Sequence, residues 1–118
     1  MPDAAVSRYF TEDEVRGLSP RLIDMLDRAR GLAKVPFSIT SGYRTPEQNR
    51  DVGGVCDSAH TKGLAVDLGC FDSRARLRMV SGLIMAGFVR IGVYSRHLHC
   101  DIDDTLPQAV LWFGGESQ

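Results

Sequence analysis

The sequence predicts an α+β domain, a small and mostly antiparallel sheet with helices packed on one side. Three observations carry that prediction. Two segments repeat apolar residues at helical spacing, Leu22, Met25, Leu26 and Ala29 in one, and Leu77, Val80, Leu83 and Ile84 in the other. Between and after them lie short β-prone runs, "GLAVDLG", "VRIGVY" and "LHCDID". The last two runs are separated by so few residues that they suggest a hairpin.

In chain order, "FTEDEV" starts a short helix. Thr11 is its cap and Glu14 completes a capping box. A second helix starts at Ser19 with Pro20 in its first position, and ends near Gly31 to Lys34. "PFSIT", Pro36 to Thr40, reads as a strand, and "SGYR" turns out of it. Thr45, Pro46 and Gln48 open a helix to about Val52, broken by Gly53–Gly54. In "GLAVDLG", Leu64, Val66 and Leu68 share one face, and Ala65 and Asp67 the other. Asp72 or Ser73 caps the next helix, with Leu77, Val80, Leu83 and Ile84 as its buried stripe and Gly87 at its end. Val89–Tyr94 and Leu98–Asp103 are the hairpin strands. The tail "LPQAVLWFGG" has no clear period; Trp112 and Phe113 are expected to pack onto the core.

With 118 residues, one domain spanning 1–118 is expected, large enough for a core without staples. The composition, 43% hydrophobic and 25% charged with a net charge of -1, is globular and carries no nucleic-acid footprint. No apolar run approaches the roughly 18 residues of a membrane span. "MPDAAVSRYFTEDE" lacks the basic start and apolar centre of a secretory signal. A cytoplasmic monomer, or export by another route, is the expectation. Cys56, Cys70 and Cys100 show no CxxC spacing and read as reduced, partly buried thiols; a Cys56–Cys70 disulfide is the alternative.

The chemistry gathers in a few residues. The chain has three histidines, His60, His97 and His99. His97, His99 and Asp101 alternate along one strand and therefore share a face. Asp67 alternates with Val66 and Leu68, so its carboxylate requires a partner or solvent. H-x6-D followed by H-x-H-x-D suits a divalent metal, since catalytic zinc takes three His or carboxylate ligands and keeps one position open. Spacing alone leaves open which histidines and aspartates are the ligands.

"SGYRTPEQN", then "GG", "SAHTKGLAVD", "RIGVY" and "HLHCD" together resemble the M15 family of zinc peptidases, which includes D-alanyl-D-alanine carboxypeptidases and phage L-alanyl-D-glutamate endolysins. The resemblance runs from about Phe10 to Trp112. Its S-x-H-x-x-G-x-A-x-D segment is matched by Ser58, His60, Gly63, Ala65 and Asp67. It implies a hedgehog/D-Ala-D-Ala-peptidase-like fold and one Zn2+ held by His60, Asp67 and His99. It further implies that His97 beside the metal contacts the oxyanion or a substrate carbonyl, that Arg44 binds substrate, and that Ser58 hydrogen-bonds nearby. The implied substrate is the stem peptide of bacterial peptidoglycan, cut for cell-wall lysis or remodelling, as by a phage endolysin that accumulates in the cytoplasm. A D,D-carboxypeptidase and a non-catalytic zinc-containing binding domain are the alternatives. One departure stands out: several family members carry an acidic general base three residues before the third ligand, where this chain has Arg96. Asp101 is then the candidate base, or a group that orients a ligand, and Asp103 a weaker one.

Overall fold

A computed structural model describes residues 7–53 and 58–114. The elements in order are α1 (Glu12–Val15), α2 (Pro20–Ala33), β1 (Ile39–Ser41), α3 (Pro46–Asp51), a 3-10 helix (Ala59–Lys62), β2 (Ala65–Gly69), α4 (Ser73–Met85), β3 (Arg90–Val93), β4 (His97–Asp101) and β5 (Val110–Phe113). The strands form one sheet in the order β1-β2-β4-β3-β5. All neighbours are antiparallel except β3 and β5.

Local chemistry starts the helices where the sequence places them. Thr11 and Glu14 exchange backbone and side-chain hydrogen bonds across α1, and Thr45 and Gln48 do the same across α3. Ser19 caps α2 ahead of Pro20, and Asp72, not Ser73, caps α4. α2 ends at Lys34, which adopts the left-handed conformation.

The sheet divides the molecule. Val66 and Leu68 of β2, Leu98 and Cys100 of β4 and Ile91 of β3 join the buried faces of α2 and α4 in a single apolar core. The opposite face of the same strands carries Asp67, His97, His99 and Asp101. Pleating alone enforces this separation, because successive side chains point to opposite faces. The core side chains hold the sheet against the helices, and the polar side chains are presented on the open face.

Three expectations need correction. The first strand is Ile39–Ser41, starting three residues and ending one residue later than the apolar run suggested; Phe37 is buried in the core but precedes it. α4 is rotated from the predicted stripe. Met79, Gly82 and Leu83 face inward, whereas Leu77 is 70% and Ile84 54% exposed. Its apolar residues occur nearly all round, so spacing alone permitted two phases, and close packing on Ala29 and Ala33 of α2 selects the one that puts Gly82 inside. The tail forms a fifth strand, in which Trp112 and Phe113 point to opposite faces; Trp112 packs against the site and Phe113 is 81% exposed. Cys70 and Cys100 are buried free thiols, their pKa values raised chiefly by that burial. Cys56 lies outside the described residues.

Candidate metal centre

Strand register assembles the centre. β2 and β4 pair so that Asp67 lies opposite His99, and Gly69 opposite His97. Two residues far apart in sequence thus become cross-strand neighbours whose side chains must interact. His60 arrives from the 3-10 helix just before β2. Ser58 caps that helix, its hydroxyl accepting from the His60 N–H at 3.2 Å. Gly63 ends it at φ 72°, and the backbone there lies so close to the Gly17 carbonyl that a Cβ would collide with it. The Gly63 carbonyl accepts from the Ser19 N–H at 2.9 Å, so the turn carrying His60 is tied to the start of α2.

His60, Asp67 and His99 each turn one ligand atom inward, and these atoms lie within 4.8 Å of one another. His60 Nε2 is 3.5 Å and His99 Nδ1 3.2 Å from Asp67 Oδ1. The far side of each ring determines what the near side can be. His60 Nδ1 lies 2.9 Å from the Gly42 carbonyl, which can only accept, so Nδ1 carries the hydrogen and Nε2 is a lone pair. His99 Nε2 lies 2.7 Å from Asp101 Oδ2 and donates there, leaving Nδ1 to face Asp67. Two basic nitrogens and a carboxylate oxygen, all acceptors, are therefore directed at one point. Only protons or a cation can satisfy them, and the donor set of two imidazoles and one carboxylate suits zinc. The residues fit the metal.

The electrostatics follow from that arrangement. Burial alone would raise the Asp67 pKa, but its interactions with the His60 and His99 rings outweigh it and hold the carboxyl well below the usual carboxylate range. Burial would lower the His99 pKa, but its hydrogen bonds to Asp101 and Asp67 raise it overall. At His97 burial dominates and lowers the pKa, so the neutral ring prevails at pH 7.

Asp101 is only 1% exposed, and both its oxygens are engaged. Oδ1 accepts from Arg90 Nε at 2.7 Å and from the Asp103 N–H at 3.1 Å, while Oδ2 takes the His99 proton. These hydrogen bonds from His99 and Arg90 hold its carboxyl below the usual range against the desolvation that opposes them. The carboxylate is thus committed to orienting His99. Arg90 also donates to the Pro107 carbonyl at 2.6 Å and lies 5.0 Å over the Trp112 ring. Trp112 in turn packs 5.6 Å from His99 and donates to the Tyr94 hydroxyl at 3.0 Å. It reaches this place because residue 92, opposite His99 on β3, has no side chain; a Cβ there would stand 2.6 Å from the indole.

Asp101→Asn is expected to have two separable effects. It leaves the Arg90 guanidinium poorly matched in a buried setting, costing about 3 kcal/mol of stability. It also leaves one amide oxygen to serve both Arg90 and His99, so the His99 tautomer is no longer fixed and zinc affinity falls by about 10- to 100-fold. Thermal melts read the first and competition with a zinc chelator the second; unchanged zinc affinity would clear Asp101 of an orienting role.

His97 shares the face of His99 and stacks on Tyr94 at 4.4 Å with rings 6° from parallel. Arg44 stands at the other side of the cluster. Its Nε donates to Ser41 Oγ at 3.2 Å, Nη1 donates to the buried Asn49 Oδ1 at 3.1 Å, and Nη2 is 3.6 Å from Asp67 Oδ2. Ser58, expected near substrate, acts here on the backbone that presents His60. Asp103 is bound by Lys62 at 2.9 Å and by Thr105, away from the cluster. Arg90, Tyr94, Trp112 and the Gly42 carbonyl stand around the cluster and were not among the site groups the sequence pointed to. The one available signal was Arg90, a charge inside an otherwise apolar strand that had to have a buried partner.

The fold and the donor set define a metal-ready α+β domain with its site on the open face of the sheet. The family model for peptidase M15 matches residues 5–101, and the chain belongs to that family. The fold is similar to the crystal structure of the L-Ala D-Glu endopeptidase ChiX of Serratia marcescens, with a TM-score of 0.60 and 19% identity over 86% of this chain and 94% of that one. No protein of curated function matches in sequence. Among the described residues, no helix is long and apolar enough to cross a membrane.

Proposed function

We infer that the protein is a zinc-dependent peptidase that hydrolyses peptide bonds in the stem peptides of bacterial peptidoglycan. The observation that carries this reading is the convergence of His60 Nε2, Asp67 Oδ1 and His99 Nδ1 in an M15 family chain. His60, Asp67 and His99 would hold the zinc, which when bound would supply Lewis-acid polarisation of a carbonyl and acidification of water.

The protein's own groups do the rest. Asp101 and the Gly42 carbonyl fix the tautomers of His99 and His60. His97, neutral and beside the cluster, accepts a proton from the attacking water and returns it to the leaving amine, or donates its own N–H to the developing oxyanion. Arg44, pinned by Ser41 and Asn49, offers its guanidinium edge to a substrate carboxylate or carbonyl. Stem peptides are rich in free carboxylates, which is the chemistry this arginine suits. The similar ChiX fold favours the L-alanyl-D-glutamate bond over the terminal D-alanine.

A second reading, a zinc-containing domain that binds without cutting, is favoured by Arg96 at the position of the family acid and by the full engagement of Asp101. Elemental analysis of the purified protein, beside mass spectrometry of peptidoglycan incubated with it, separates these readings. New L-alanine termini support endopeptidase action and free D-alanine a carboxypeptidase. Intact stem peptides with a full complement of zinc would establish the binding domain. Arg44→Ala is expected to raise KM about 10- to 100-fold, the loss of one charged hydrogen-bonding contact, with zinc content unchanged. A normal KM would remove Arg44 from the substrate site.

A further inference from the structure

The face of the molecule opposite the metal centre is unusual in two ways at once. α4 carries three arginines, Arg74, Arg76 and Arg78, and no aspartate or glutamate between Ser73 and Met85, with Asp72 as its cap. Arg76 reaches the Ser95 carbonyl. Arg74 and Arg78 are exposed, with no ion pair among the described residues. Arg74 lies in the first turn of α4, where the helix dipole disfavours positive charge, so helix stability does not account for it.

The same surface is apolar. Leu77, Ile84 and Met85 lie with Arg74 and Arg78 along one stripe of α4, the helical spacing i, i+3, i+4, i+7. Val89 and Leu111 continue the stripe across a shallow groove onto the edge strand β5, and Phe113 follows beside Arg76. All six apolar residues are exposed. A continuous patch of this kind marks an interaction surface. A soluble polyanion would select the arginines without the leucine, isoleucine and phenylalanine. A purely apolar partner would not select unpaired guanidinium groups. An anionic amphiphile requires both, with the apolar side chains entering the acyl boundary and the arginines remaining at the headgroups.

We propose that the outer face of α4 and β5 docks the protein on a bilayer containing anionic phospholipid. Because α2 and α4 pack on one face of the sheet and the metal centre opens on the other, docking leaves the centre facing away from the lipid. The assignment is independent of the reaction catalysed.

Sedimentation of the full chain with vesicles tests it. Vesicles of phosphatidylcholine with phosphatidylglycerol should retain the protein at low salt, and phosphatidylcholine alone should not. Arg74→Glu with Arg78→Glu, and separately Leu77→Ser with Phe113→Ser, should each lower the partition coefficient at least tenfold. Zinc content and melting temperature should stay at the parent values, which shows that both pairs fold. Three results overturn the proposal. The first is absence of binding to the phosphatidylglycerol vesicles. The second is binding that survives Leu77→Ser with Phe113→Ser and is competed by soluble polyphosphate, which denotes a bare anion site. The third is a dimer in light scattering that the same apolar pair dissolves, which denotes a second copy of this chain.

Discussion

His60→Ala is expected to yield protein that purifies without zinc and has no peptidase activity. Three ligand atoms converge on one point, and two could not hold a cation there as three would. The loss of affinity exceeds the roughly 100-fold that removal of a supporting group costs. His99→Ala should behave alike. Elemental analysis of each variant, with chelator competition on the parent, reads the effect directly. Full zinc in the His60 variant would invalidate the ligand assignment whatever the activity did.

The same site gives the metal-free protein a defined pH response. His99 has its pKa raised by Asp101 and Asp67. A raised histidine stabilises the fold fully below its unfolded value, about 6.5, and loses that contribution as pH rises through the folded value. Zinc takes the place of the proton on the inward nitrogen and is favoured by its loss. The rise in melting temperature on adding zinc should therefore grow from acid toward neutral pH. An equal rise at both ends would argue that the metal binds elsewhere.

How much of this was legible in the sequence differs by element. The capped starts of α1, α2 and α3 were, because capping is local: Thr11, Ser19 and Thr45 bond to backbone three residues away. The two faces of β2 were, because alternation has only two phases. The phase of α4 was not. Leu77, Val80, Leu83 and Ile84 make a plausible stripe, and only the demand of α2 for a glycine at position 82 rejects it. Parallel pairing of β5 with β3 is a non-local outcome that nothing in "VLWF" announces. At the site, Asp67 was conspicuous as a carboxylate among apolar neighbours, and H-x-H as two imidazoles on one face. The choice between His97 and His99 rests in the structure on register, since His99 and not His97 lies opposite Asp67. The Gly42 carbonyl that sets the His60 tautomer is a backbone group, and no residue identity could reveal it.

His97→Ala is expected to keep zinc and slow turnover by about 100- to 10,000-fold, the range for removing a positioned acid–base group. The ring stands on the face that holds His99 and is fixed by stacking on Tyr94, whose hydroxyl is bonded to Trp112. Its pKa is lowered by burial first and then by neighbouring His99 and His60, with Asp67 opposing. A base must be neutral to act, so the acid limb of kcat should lie below the ordinary imidazole range and should vanish in the variant. His97→Gln divides the two duties proposed for the ring. Glutamine can donate to an oxyanion but cannot relay a proton. Recovery of most of the rate in His97→Gln would make His97 an oxyanion donor, whereas a rate as low as that of alanine would make it the base that Arg96 cannot be. A parent-like kcat in His97→Ala, with zinc intact, would exclude both duties.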